Sequence, residues 1–182
     1  MFSGIIQATG KVATASTRGG CKAVTIQRPR SWKLAKGQSI SVDGICSTVV
    51  KFDAKTFQVE YMPETLSKTT AGDFHTGTLL NLERSLTLQD YIDDHLVMGH
   101  VDARVRVKSF DRAKGSALLT IEVPASLRKF LALHGSVTLN GVSLTIARRG
   151  ASTISVALIP HTLSHTNMGA LTAGSWVNLE ID

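Results

Sequence analysis

The residues best able to do chemistry in this chain are two histidines, a cysteine and a serine. His95 and His100 carry imidazoles, whose ordinary pKa of about 6.5 suits proton transfer near neutral pH. Cys46 carries a thiol, a strong nucleophile once it loses its proton. The commoner fates of these residue types are a hydrogen-bonded structural histidine and a small buried cysteine that behaves as a hydrophobe. The place of His100 in a duplicated sequence argues for chemistry. Cys46 lies in Ser39-Ile40-Ser41-Val42-Asp43-Gly44-Ile45-Cys46-Ser47-Thr48, which the chain repeats as Ser136-Val137-Thr138-Leu139-Asn140-Gly141-Val142-Ser143-Leu144-Thr145. Ser143 stands at the place of Cys46 and Thr145 at that of Thr48, each 97 positions on (143 − 46 and 145 − 48). His100 replaces an aliphatic twin, Ile5, at a spacing that an indel has shifted to 95 (100 − 5). Unlike groups at twin positions suit two related pockets with different tasks.

Two more blocks keep the same spacing. Met62-Pro63-Glu64-Thr65-Leu66-Ser67 returns as Ile159-Pro160-His161-Thr162-Leu163-Ser164, and Gly77-Thr78-Leu79-Leu80-Asn81-Leu82-Glu83 as Gly174-Ser175-Trp176-Val177-Asn178-Leu179-Glu180. A fixed offset across three blocks marks a tandem duplication. The 182 residues therefore divide into two domains, 1–93 and 94–182, each small enough that contact between them should matter. In the first unit, Gly4 to Ala13 reads as an opening strand and Cys21 to Ile26 alternates after Gly19-Gly20. A short helical turn is expected over 31–35. Asp43-Gly44 reads as a tight hairpin turn between Ser39 to Val42 and Ile45 to Phe52. Thr56 to Met62 alternates up to Pro63, Glu64 to Thr69 suits a short helix, and Leu79 to Glu83 closes the unit. The second unit repeats this order, with Leu118 to Val123 as a strand, 125–133 helix-like, and a hairpin at Asn140-Gly141. About six short strands per unit predict an all-β protein of two tandem six-stranded antiparallel Greek-key barrels with short helices, since closure removes exposed edges.

Composition narrows the function. Hydrophobic residues are 43% and charged residues 19% of the chain, as in ordinary globular domains. No apolar run approaches the roughly 20 residues of a membrane span, and the first residues lack a signal peptide's basic start. A cytoplasmic protein with no membrane role is expected. The net charge of +6 comes from scattered bases, densest at Arg28, Arg30, Lys33 and Lys36 and then at Arg104, Arg106 and Lys108. Aromatic residues are only 5% of the chain, poor material for base stacking, so attraction to anions is expected but no nucleic-acid site. Cys21 and Cys46 match no metal-ligand spacing and imply no disulfide framework.

Taken in order, these blocks resemble the lumazine-binding-domain family that includes the riboflavin synthases. Met1-Phe2-Ser3-Gly4-Ile5-Ile6, Asp43-Gly44-Ile45-Cys46-Ser47-Thr48, Met62-Pro63-Glu64-Thr65-Leu66, Asn81-Leu82-Glu83-Arg84 and His95-Leu96-Val97-Met98-Gly99-His100-Val101-Asp102 carry the likeness in the first part of the chain. Asn140 to Thr145 and Ile159 to Leu163 carry it in the second. The resemblance implies a dismutation without cofactor or metal. A four-carbon unit passes between two molecules of 6,7-dimethyl-8-ribityllumazine, giving riboflavin and 5-amino-6-(ribitylamino)uracil. It implies a homotrimer in which the first barrel of one subunit faces the second barrel of its neighbour.

By resemblance, the catalytic set is His100, Cys46, Ser143, His95, Asp182 and Phe2. The same likeness places Gly4, Ile5, Ser39, Thr48, Met62, Glu64, Thr65, Gly99, Val101, His134, Thr145, Ile159, His161 and Thr162 against the ligand, beside Cys46, His100 and Ser143. Two features depart from the family. His134 stands where a lysine is usual, exchanging a fixed charge for one that titrates. The sequence also stops at Asp182, where family members continue into a trimer-forming helix. It is therefore either shortened, or its assembly is lost or carried by other contacts, with lower activity expected. The alternative function within the family is a non-catalytic lumazine or flavin carrier. A generic oligonucleotide-binding barrel is the distant third.

Overall fold

The computed structural model describes residues 1–91, 95–113 and 115–182. Alternating runs become strands where a buried side chain falls at every second position. In the first unit these are β1 (Ala8–Arg18), β2 (Cys21–Gln27), β3 (Ser39–Val42), β4 (Ile45–Thr48), β5 (Lys51–Phe52), β6 (Thr56–Tyr61) and β7 (Leu79–Arg84). In the second they are β8 (Ala103–Ala113), β9 (Ser116–Glu122), β10 (Ser136–Leu139), β11 (Val142–Arg149), β12 (Thr153–Leu158) and β13 (Trp176–Ile181). A six-residue helix follows the proline after β6 and after β12: α1 (Pro63–Lys68) and α2 (Pro160–His165). Proline at the first helical turn loses no hydrogen bond and presets the backbone, which explains both starts.

The second unit closes into a six-stranded barrel in the order β10-β11-β12-β9-β8-β13. The first forms a seven-stranded sheet, β4-β3-β7-β1-β2-β6-β5. Its two ends are consecutive in the chain, because the strand equivalent to β11 is split at Val49 and Val50. The Val49 N–H donates toward β3, to the Gln38 carbonyl (2.9 Å), and the Val50 N–H toward β6, to Gln58 (2.9 Å). The pairing partner changes at that corner, and so the sheet wraps back to its own beginning. Three local expectations fail. The opening strand starts at Ala8, since Gly4 is in the left-handed region (φ 75) and its backbone bonds elsewhere. No helix forms over 31–35. Only a single 3-10 turn, Arg128–Phe130, forms within 125–133, where i+3 bonds follow Pro124.

Each unit has its own core, and the units exchange segments. Ile6 packs against the second unit's core and Val101 against the first unit's. The stretches preceding β1 and β8 therefore cross over, held together where Phe2 and Val97 exchange backbone hydrogen bonds (2.7 and 2.9 Å). The expected boundary at 93/94 lies outside the described residues.

The seam between the units is built from the two hairpin turns. Asp43-Gly44 (φ 49 and 79) and Asn140-Gly141 (φ 46 and 80) both have the positive φ pair of a type I′ turn. They meet backbone to backbone: a Cβ on Gly44 would sit 2.7 Å from the Gly141 nitrogen, and one on Gly141 2.8 Å from the Gly44 nitrogen. Asparagines seal the contact. The Asn81 amide donates to the Asn140 carbonyl (2.9 Å), and the Asn178 amide to the Asp43 carbonyl (2.8 Å). The Thr70 N–H donates to Asn178 Oδ1 (2.8 Å) and the Asn167 N–H to Asn81 Oδ1 (2.7 Å). The pattern is two-fold except at Asp43, whose twin is the neutral Asn140, and at Asn167, whose twin is Thr70.

Burial pushes the Asp43 carboxyl up to about 7, against the Asn81 N–H and the Asn167 amide, which pull it down. A carboxyl raised in the folded state is harmless below its unfolded range and increasingly destabilising as pH climbs toward 7. The full effect is bounded at about 4 kcal/mol by the size of the shift. Asp43→Asn should therefore raise the melting temperature by several degrees more at pH 8 than at pH 5. Thermal melts of both proteins at the two pH values check this; an equal or smaller gain at pH 8 contradicts it.

Candidate functional site

Two buried glutamates fix the crossing segments. Glu180 on β13 accepts the N–H of Met98 (2.7 Å) and of Gly99 (3.0 Å). Gly99 then offers its carbonyl to the Cys46 N–H (2.9 Å). Its φ of 77 suits glycine, and a Cβ there would lie 2.7 Å from the Cys46 Cβ. Glu83 on β7 does the same in mirror fashion. It accepts the Ser3 N–H (2.6 Å), the Ser3 hydroxyl (2.7 Å) and the Gly4 N–H (3.1 Å), and the Gly4 carbonyl takes the Ser143 N–H (2.8 Å). Burial raises both carboxyls, and the hydrogen bonds they accept draw them back. Glu180 is further lowered by the His100 N–H and the charge of its ring. Cys46 and Ser143, twins in sequence, are thus twins in space, each capped by the leading segment of the other unit.

At Cys46 the arrangement opens into a cleft of about 400 Å³. Eight expected residues line it: Cys46, Thr48, Met62, Glu64, Thr65, Gly99, His100 and Val101. β4 supplies the thiol and the Thr48 hydroxyl, α1 the charged rim, and the crossing segment His100. Cys46 and His100 are exposed. On α1, Lys68 donates to Glu64 at 2.8 Å, one helical turn apart, and holds its carboxyl below the usual range.

Sequence reasoning missed Ser47, Glu60, Tyr61 and Lys68, which also line the cleft. The Ser47 hydroxyl bonds to the Ile45 carbonyl (2.9 Å) and the Tyr61 hydroxyl (3.0 Å), and burial pushes the Tyr61 phenol up. Their twins at an offset of 97 are Leu144 and Leu158. That polar-for-apolar exchange was a readable signal.

The second barrel gathers a different set. The Ser143 hydroxyl meets His95 Nδ1 at 2.9 Å, and the other ring nitrogen meets the Thr138 hydroxyl at 3.0 Å. Gly4 lies against Ser143, and Ile5 beside it is exposed. Thr145 follows on β11; Ile159, His161 and Thr162 lie at the start of α2. In place of the Glu64–Lys68 pair, His161 and His165 stack with ring centres 4.0 Å apart.

Four expected residues stand apart from both groups. Phe2 is fully buried and so wedges the crossing segments, with no surface toward the cleft. Ser39 pairs with Thr48 across the β3–β4 hairpin without lining the cleft. His134 occupies a left-handed turn (φ 65), its N–H bonded to the Ile146 carbonyl. Asp182 is the exposed last residue. Among the described residues, no group of three or more His, Cys, Asp or Glu could hold a metal ion, and no helix is long and apolar enough to cross a membrane.

The model of the lumazine binding domain matches twice, over residues 3–85 and 98–182. Riboflavin synthase of Bacillus subtilis (strain 168) is 38% identical over 183 residues, covering all of this chain and 85% of that one. Riboflavin synthase of Mycobacterium tuberculosis (strain H37Rv) is 34% identical over 187 residues, covering all of this chain and 93% of its own. Among solved structures, LumP complexed with riboflavin superposes with a TM-score of 0.94 at 23% identity, covering the whole of both chains. LumP complexed with 6,7-dimethyl-8-(1'-D-ribityl) lumazine gives 0.92, covering all of this chain and 99% of that one. The chain belongs to the lumazine binding domain family and carries its domain twice.

Proposed function

We propose that this chain catalyses riboflavin synthesis, passing a four-carbon unit between two molecules of 6,7-dimethyl-8-ribityllumazine. The observation that carries the reading is the pairing of two homologous stations with unlike chemistry, Cys46 with His100 at one and Ser143 with His95 at the other. A dismutation uses two copies of one substrate in different roles, so related but unequal pockets are what it needs. One lumazine must lose a proton from its activated methyl group. The His100 imidazole stands at the cleft, held by Glu180 through the backbone of 98–100, and serves as the base. The Cys46 thiol is the nucleophile toward the electron-poor ring carbon, and Thr48 and Thr65 offer hydroxyls to the ligand. At the second station, His95 orients the Ser143 hydroxyl. The two stations are related by the seam, so the two substrates stack when one chain's first barrel faces a neighbour's second, in a homotrimer. Positioning and proton transfer supply the chemistry, with no cofactor required.

A carrier that holds one lumazine or flavin without turnover is the second reading. It is favoured by one contrast: the first station is a formed cleft, while at the second the His95 ring is hydrogen-bonded to Ser143 and Thr138. A chain working alone would then hold a single ligand. Incubation with the lumazine separates the two: riboflavin accumulating over many turnovers means enzyme, a one-to-one fluorescence change without product means carrier.

His100→Ala should lower kcat about 100-fold with KM within a few-fold, the size expected of a lost proton-transfer group; unchanged kcat in steady-state assays removes it from the mechanism. Cys46→Ser should slow riboflavin formation at least tenfold while lumazine still titrates the cleft with near-parent affinity. Loss of binding as well would make Cys46 a packing residue.

A further inference from the structure

The cationic run Arg104-Val105-Arg106-Val107-Lys108 takes no part in the lumazine stations. Its period of two sends Val105 and Val107 into the core and the three bases to the outer wall of the second barrel. The sheet brings a further aromatic against them. β13 pairs with β8 so that Trp176 lies opposite Arg106. The guanidinium carbons of Arg104 and Arg106 stand 4.3 and 4.6 Å from the centre of its ring. Together with Arg128 from the loop after β9, these side chains line a cleft of about 530 Å³ with Glu122 as its acid. The positions paired in the same register in the first barrel are Thr9, Lys11 and Leu79, with Ala13 matching Lys108. One base, Lys11, thus stands where the second barrel has three, and the aliphatic Leu79 where it has Trp176, so the fold does not require the cluster.

We propose that this cleft binds a dianionic phosphate, carried by a small phosphomonoester. Charge decides the class. Arg104 is already paired with Asp73 (2.7 Å). Among the described residues, Arg106, Lys108 and Arg128 have no carboxylate within ion-pair distance, and Glu122 is the acid that lines the cleft beside them. Three cations against one anion leave a surplus of two, which a phosphomonoester near neutral pH matches and a lone carboxylate does not. Guanidinium forks suit its three oxygens. Geometry excludes stacking as the main mode of capture. The Trp176 ring is engaged by two guanidiniums, so the cleft offers charge and donors rather than a free aromatic face. One donor is left over within it: Arg104 Nε is buried without a hydrogen-bond partner. The volume exceeds what a bare phosphate fills, which favours an ester with an organic portion over the free ion.

Titration calorimetry at 150 mM salt tests this, with ribose 5-phosphate as probe in one arm and inorganic phosphate in the other. Ribose 5-phosphate should bind one-to-one, and inorganic phosphate at least tenfold more weakly. Arg106→Ala combined with Lys108→Ala should weaken ribose 5-phosphate at least tenfold. Arg30→Ala with Lys55→Ala, on the first barrel's basic surface, should leave it unchanged. Lumazine binding should be the same in all three proteins, so failure here is distinguishable from failure of the proposed function. Heats that never saturate, or equal weakening by both pairs of substitutions, would mean a diffuse basic field and overturn the site. Equal affinity for inorganic phosphate would overturn the ester.

Discussion

Two glycines meeting at the centre of the molecule set the geometry of everything else. Gly44 and Gly141 approach so closely that neither could carry a Cβ, and each lies in a left-handed conformation that glycine adopts without strain. Their hairpins place Cys46 and Ser143 two residues beyond the contact, on opposite barrels. The asparagines around the turns do the work that a hydrophobic patch would do in an ordinary domain interface. Backbone groups buried between the barrels need partners, and Asn81 and Asn178 supply them to the opposite unit. A seam built this way is directional, since each amide has one geometry that satisfies it, whereas apolar contact would permit sliding.

From that seam follows the exchange of the leading segments. Glu83 and Glu180 each gather several N–H groups that would otherwise be buried unpaired. Each glutamate thereby holds a glycine whose carbonyl completes the other barrel's strand end. The consequence for chemistry is direct: His100, encoded by the second unit, serves the cleft of the first. Neither station is made from one repeat alone. The duplication is thus cooperative in structure, and its product is two sites that share a backbone plan and differ in side chains: Cys46 against Ser143, Tyr61 against Leu158, Glu64 and Lys68 against His161 and His165.

Much of the fold was legible because the repeat is regular. Alternation located most strands to within a few residues, and the Asp-Gly and Asn-Gly pairs fixed both hairpins. The misses came from segments whose conformation depends on distant partners. Gly4 to Gln7 is apolar enough to read as a strand, yet its hydrogen bonds go to the Glu83 side chain, to Leu82 and, in the other unit, to Ser143. The returning strand after Ile45 looked continuous but breaks at Val49, where the sheet turns a corner. Residues 125–133 lack the capped, amphipathic pattern that sustains more than one turn.

The sequence alone determined the duplication and the twin relation of Cys46 and Ser143, since both are matters of spacing along one chain, and its likeness to the family pointed to eight of the residues that line the first cleft. Only the tertiary structure decided that His95 meets Ser143, that Phe2 is a buried wedge, that Ser47 and Tyr61 pair behind the thiol, and that Trp176 lies between Arg104 and Arg106. Periodicity tells which face a side chain takes. Which remote residue it finds there is set by strand register and by the crossing of segments, and both are settled when the two barrels close on each other.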